Sequence, residues 1–182
     1  MLDVHQLAVP PMSRVAIRGI AHSMLRTMGV TGPAVNVVRL VEFMSNNGDF
    51  DFDVVGVSDL GDMHGLTIPD RGIIYLREDV YAGAVDGNGR DRGTVAHELG
   101  HLVLHAGVSG FARRISGNHS LKPYEDPEWQ AKCFQGELLV PSIWVDSYRN
   151  ATQVAELCGV STDAAATQLR AYKRDGIYRG AV

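Results

Sequence analysis

The sequence predicts an α+β fold, and three observations carry that prediction. Apolar residues recur at helical spacing through the first part of the chain, change to short β-branched runs between Phe52 and Leu76, and return to helical spacing from Thr94 onward. Helices, then a small mostly antiparallel sheet, then helices again is an α+β order. A chain of 182 residues is long enough to bury one proper core. A single domain is expected: N-terminal helices over 13–50, a sheet and site-bearing core over 51–141, and a helical tail over 142–182.

"PMSRVAIRGIAHSMLRTMG" (11–29) reads as the first helix, capped by Ser13 and stopped by Gly29, with Val15, Ala16, Ile20, Met24 and Leu25 as its apolar positions. "PAVNVVRLVEFM" (33–44) reads as the second, with Pro33 in its first turn. "FDVVGV" (52–57), "LTI" (66–68) and "IIYL" (73–76) are strands, the last two joined by the turn signal "PDRG" into a hairpin. "DGNGRD" (86–91) is a loop leading into a histidine-rich helix, and 107–120 a polar loop beyond it. Helices are expected near 127–139, 141–148 and 161–174.

Composition narrows the function classes. Seventeen Lys and Arg against 21 Asp and Glu leave a formal charge of −4, which gives no electrostatic reason to expect nucleic acid or an acidic membrane as partner. Cys133 and Cys158 are too few for a disulfide framework and read as reduced structural thiols. No stretch has the length of a membrane span, and "MLDVHQLAVPPMSR" lacks the basic and apolar regions of a signal peptide; the expected compartment is the cytoplasm.

The chemistry concentrates in "TVAHELGHLVLH" (94–105). Residues four apart lie nearly over one another on a helix, so His97 and His101 can present two imidazoles to one ion. Glu98, one step round, can reach a water bound to that ion; this is the physical content of H-E-x-x-H. Two histidines and a water leave a tetrahedral zinc one protein ligand short. The metzincin spacing would require glycine at 104 and histidine at 107, where Leu104 and Gly107 stand. His105 lies about 12 Å along the axis from His97, too far to share an ion, and reads as a C-terminal residue favoured by the helix dipole.

The better source of a third ligand is "EDPEWQAKCFQGELLVP" (125–141). Asp126 followed by Pro127 starts a helix. Glu128 then falls in its first turn, on the side that Ala131, Gln135 and Leu138 mark as inward, whereas Glu137 faces the opposite way. Glu125, ahead of the helix, is the fallback ligand. A carboxylate on an inward stripe needs a partner, and a metal ion is one of few that satisfies it; the competing reading is an acid that merely suits a first turn.

These two segments resemble the ImmA/IrrE family of bacterial metallopeptidases. The active helix of that family reads R-x-R-F-T-x-A-H-E-L-G-H-x-x-L-H, matched here by Arg90, Arg92, Thr94, Ala96, His97, Glu98, Leu99, Gly100, His101, Leu104 and His105. The later helix reads E-x-x-A-N-x-F-A-x-x-L-L-x-P, matched by Glu128, Ala131, Phe134, Leu138, Leu139 and Pro141. Gly93 stands in place of Phe, Lys132 in place of Asn or Asp, and Gln135 with Gly136 where small Ala residues are common.

The resemblance implies a zincin-like fold in which His97, His101 and Glu128 bind Zn²⁺ and Glu98 is the catalytic general base. The same ligand set also accepts Mn²⁺ or Fe²⁺. It implies, further, an endopeptidase acting on a specific intracellular protein, such as a helix-turn-helix repressor of the Xre type or an antitoxin encoded nearby. Gly100 costs about 1 kcal/mol in a helix interior, so a close-packing role is expected for it. "GIIYL" is the expected edge strand for an extended substrate. His105, His119, Tyr124 and Tyr148 are unranked candidates for the oxyanion donor. The loop at 107–124 and the tail after Pro141 are the expected docking surfaces.

Two other classes compete. "QVAELCGVSTDAAATQLRAYKRDG" (153–176) has the form of a helix-turn-helix, but its second helix opens on Thr162, Asp163 and alanines, not on residues that read base edges. A zinc-binding module that blocks a partner or acts as a toxin without cutting is the other.

Overall fold

The computed structural model describes residues 7–108, 113–114 and 121–182. Helix α1 (Arg14–Thr27) begins where Ser13 accepts a hydrogen bond from the Ala16 amide at 3.2 Å. Its inward face differs from the expected one: Ile17, Ala21, His22 and Leu25 are buried, while Val15 is 68% exposed. The cause is electrostatic. Arg14 and Arg18 turn inward to reach the fully buried Glu137, which displaces the apolar stripe round the helix.

Helix α2 (Val37–Asn46) starts later than expected. Asn36, not Pro33, opens it, because the Asn36 side chain accepts from the Arg39 amide at 3.0 Å and satisfies a first-turn donor.

Strand β2 (Asp51–Val55) runs into a single helical turn, α3 (Val57–Leu60). Strands β3 (Gly65–Ile68) and β4 (Ile73–Arg77) then form the expected antiparallel hairpin, turned through Pro69–Arg71 with Gly72 at φ 62°. The sheet order is β2-β4-β3, and β2 lies parallel to β4. The sheet is therefore mixed, with one parallel pairing where a mostly antiparallel sheet was expected. Residues 56–72 supply the crossover a parallel neighbour needs. "GIIYL" is consequently the central strand and no edge; Ile74 and Leu76 point into the core.

Helix α4 (Glu78–Val85) has no counterpart in the sequence reading, since only Val80 and Ala84 form its buried face. It packs on α5 (Gly89–His105) through Gly83, where a Cβ would stand 2.0 Å from the Asp91 carboxylate. Asn88 caps α5 by accepting from the Arg90 and Asp91 amides, so the helix begins inside the expected 86–91 loop. Leu7–Ala8 (β1) and Arg113–Arg114 (β5) pair as a two-residue antiparallel ladder within what was expected to be loop.

Helix α6 (Pro127–Leu139) has the expected bounds; a 3₁₀ turn at Ser142–Ser147 replaces the helix expected at 141–148. Helices α7 (Ala151–Cys158) and α8 (Thr162–Arg174) close the chain, joined through Gly159 in the left-handed region. Their own core includes Tyr148, Val154, Cys158, Leu169 and Tyr172. Burial pushes the Cys133 thiol up to about 12 and raises that of Cys158, and the two are not bridged.

Two buried polar clusters fasten these parts together. The Arg92 guanidinium donates to the Cys158, Gly159 and Val35 carbonyls, joining α5 to the end of α7 and to the lead of α2. Glu137 accepts from Arg18 Nε at 3.0 Å and from Arg14 at 3.3 Å, and lies 2.9 Å from the Tyr172 hydroxyl, joining α6 to α1 and α8. Removing one member of such a cluster leaves the others desolvated without a counter-charge. Glu137→Gln is expected to lower the unfolding free energy by about 3 kcal/mol, measured by urea denaturation at neutral pH.

Candidate metal centre

Three histidines form a ladder along α5. The His97 and His101 ring centroids are 4.7 Å apart and those of His101 and His105 are 5.2 Å apart, the consequence of four-residue spacing on a regular helix. Helix α6 crosses this ladder in the opposite direction, with His105 near Gln130, Gly100 against Ala131 and Phe134, and Gly93 against Gln135. Asp126 caps α6 by accepting from the Glu128 amide at 2.9 Å, which sets Glu128 in the first turn, facing α5.

The result is a convergence of ligand atoms. His97 Nε2 lies 3.1 Å from His101 Nε2 and 3.3 Å from Glu128 Oε2, and His101 Nε2 lies 3.2 Å from Glu128 Oε1. Ligand atoms at about 2.0–2.1 Å from a tetrahedral ion stand about 3.3 Å from one another, so this donor set fits a divalent ion. Among the described residues, His97, His101 and Glu128 are the one group of this kind. Hydrogen bonds with His101 and His97 hold the Glu128 carboxyl far below the usual carboxylate range, against the opposing effect of burial. Glu125 lies in the turn before α6 and is not part of the group.

His105 corrects the sequence reading. It stands in the last turn as expected, but it is buried, and desolvation lowers its pKa to about 4, so its hydrogen bonds and not a positive charge hold it there. Its Nε2 lies 3.2 Å from Gln130 Oε1, and its Nδ1 lies 3.2 Å from His101 Nδ1. The Gln130 amide nitrogen donates to the Pro10 and Tyr124 carbonyls at 2.9 and 2.8 Å, which leaves its oxygen as the acceptor. His105 therefore donates from Nε2 and accepts at Nδ1. A neutral His101, the form a metal ligand requires, then carries its proton on Nδ1, which leaves the Nε2 lone pair directed at the ligand cluster. Such outer contacts fix a ligand's tautomer and ring orientation.

Glu98 is held from the sheet. The Thr67 hydroxyl on β3 lies 2.6 Å from Glu98 Oε2 and 3.0 Å from the Glu98 carbonyl oxygen; its single proton goes to the charged, nearer acceptor. Gly65, two residues earlier on the same face of the strand, gives the Glu98 side chain its room: a Cβ there would stand 2.8 Å from Glu98 Cγ. Sequence reasoning missed Gly65, Thr67 and Gln130. Each acts across a tertiary contact, and no local spacing marks it.

An open cavity of about 470 Å³ adjoins His97 and Glu98. Gly93 and Gln135, two of the unusual positions in the motif helices, meet there: a Cβ at 93 would stand 2.7 Å from Gln135 Nε2. Gly136 likewise makes room for Gln168, whose Oε1 would be 2.4 Å from a Cβ at 136. At the first contact small and large have exchanged places relative to the family pattern, with Gly93 in place of Phe and Gln135 in place of a small residue.

Of the oxyanion candidates, Tyr148 is buried in the tail core, with its hydroxyl donating to the Pro141 carbonyl at 2.9 Å, and is excluded by position. His105 stands behind His101 and is engaged on both nitrogens. Tyr124 is 41% exposed, beside Lys122. His119 lies outside the described residues, as does most of the 107–124 loop.

Residues 58–170 match a family model, Peptidase_M78, described as the IrrE N-terminal-like domain. That span is well over half of the chain and contains His97, Glu98, His101 and Glu128; the protein belongs to this peptidase family. A comparison with curated proteins gives no match. Among the described residues no helix is long and apolar enough to cross a membrane.

Glu128→Ala is expected to abolish stoichiometric metal retention in protein purified without added metal, measured by elemental analysis. Full retention in that variant would move the third ligand to Glu125. His105→Leu removes the acceptor for His101 Nδ1–H and is expected to weaken metal affinity about 10–100-fold, measured by competition with a chromogenic chelator.

Proposed function

We propose that this protein is a zinc-dependent endopeptidase that cuts a specific partner protein. One observation carries the reading: three ligand side chains converge, with neighbouring donor atoms 3.1–3.3 Å apart, beside a carboxylate held by Thr67, in a chain of a peptidase family. His97, His101 and Glu128 would hold the ion. When bound, a zinc ion acidifies water and polarises a scissile carbonyl.

The remaining work belongs to Glu98. Its carboxylate takes a proton from the attacking water and returns it to the leaving amine. Thr67 orients that carboxylate by holding Oε2, which leaves Oε1 to serve as the base. Among the described residues strand β3 lies at a sheet edge, paired with β4 alone, and bears both Gly65 and Thr67. An extended substrate segment adding to β3 would pass beside Glu98 with its main chain aligned.

Specificity for one partner is the part of the proposal that rests on family resemblance. The partner would be a helix-turn-helix repressor or antitoxin. The tail α7–α8 is consistent with a supporting role in this scheme, because Leu169 and Tyr172 are buried in the core the two helices share, and the Tyr172 hydroxyl ties that core to Glu137 of α6.

Glu98→Gln is expected to keep the metal and lose about 10²–10⁴-fold in turnover, measured with a verified substrate; a near-wild-type rate would remove Glu98 as base. Incubation of zinc-loaded protein with the product of the neighbouring gene, and separately with casein, is expected to give one or few cuts in that product if it is the helix-turn-helix repressor proposed, and little digestion of casein. Mass spectrometry reads both. A stable complex with an intact repressor would instead indicate a blocking module.

A further inference from the structure

The cavity beside Glu98 has a chemical character of its own. One wall is the α5 face that carries His97, Gly93 and Arg90; a second is α6 one and two turns past Glu128, with Lys132 and Gln135. Lys132 is exposed and, among the described residues, has no acid or carbonyl partner. Among the described residues the Arg90 guanidinium contacts the His64 ring, at 3.4 Å, and no acid. The Gln135 side chain lies over Gly93 and makes no hydrogen bond with the described residues. Arg90 also sits in the first turn of a 17-residue helix, at the positive end of its dipole.

Two acids border the same space. Glu98 is already engaged by Thr67. Asp62 is exposed at the rim, where its charge acts on Arg77, which is paired with Asp79 as well. The cavity thus offers two cations that form no ion pair with the described residues, and an amide without a hydrogen bond to them, next to the point of proton transfer. An aliphatic side chain would strand those donors, and a basic one would be repelled. A carboxylate can accept charge-assisted hydrogen bonds from them.

We propose that this cavity is a specificity subsite next to the scissile bond, and that it selects an aspartate or glutamate side chain of the substrate through Lys132 and Arg90. The assignment rests on the peptidase reading above, and its test separates the two. Two peptide hydroxamates that differ only in Glu or Gln beside the hydroxamate are titrated into the zinc-loaded full chain by calorimetry. The Glu probe is expected to bind about tenfold or more tightly than the Gln probe. Lys132→Glu is expected to invert that order, and Arg90→Gln to shrink it. Equal affinities in the wild type would overturn the subsite, as would a Glu preference that survives both substitutions or a failure of the Glu probe to bind. Cleavage of the matching pair of peptides is followed in parallel. Glu-selective binding without cleavage would uphold the subsite and remove the peptidase; equal binding with equal cleavage would do the reverse.

Discussion

A Cβ at position 100 would stand 3.1 Å from the Phe134 ring and 3.2 Å from the Ala131 carbonyl oxygen. The contact between α5 and α6 is made at that distance, and the site depends on it. Two of the candidate ligands come from one helix and the third from the other, so the gap between helix axes sets whether Glu128 reaches His97 and His101 at all. A bulkier residue at 100 would hold the carboxylate away from both rings. The loss of helix propensity at an interior glycine, about 1 kcal/mol, is offset by a close helix contact that packs Phe134 and Leu99 into the same core.

Behind the ligands, hydrogen-bond polarity is passed from the backbone to the cluster in a fixed direction. The Pro10 and Tyr124 carbonyls orient the Gln130 amide, the amide orients His105, and His105 sets the proton on His101. Burial is what makes this work, because a His105 that protonated near neutrality would lose its acceptor nitrogen and the chain of donors would reverse. The N-terminal segment is tied to the same spot, through Val9 and Met12 amides donating to the Glu125 and Tyr124 carbonyls. A stretch of sequence remote from the motif therefore contributes to the orientation of a ligand.

The sheet plays the corresponding part for Glu98. β3 sits at the edge nearest α5, and the hairpin with β4 sets Thr67 and Gly65 on one side of the strand, facing the helix. Arg92 and Glu137 then close the molecule round this centre, each a buried charge satisfied by groups from two other segments. These clusters explain two departures from simple amphipathic patterning: the rotated face of α1, and a tail whose helix-turn-helix form serves packing.

The sequence by itself determined the features that depend on periodicity and local caps. The i, i+4 histidines, the Ser13 and Asp126 caps, the β3–β4 hairpin and the bounds of α6 are all set by residues within a few positions of one another. The inward placement of Glu128 was legible for the same reason, since helix phase runs on from Pro127. Pairing partners were not. That β2 lies parallel to β4 and places "GIIYL" at the centre depends on a crossover, which has no period to read. The roles of Thr67, Gln130 and His105 depend on which surfaces come within about 3 Å of one another, and local spacing is silent on that. Only the tertiary structure could decide them, because a hydrogen bond's worth is set by the burial around it and burial is a property of the assembled fold.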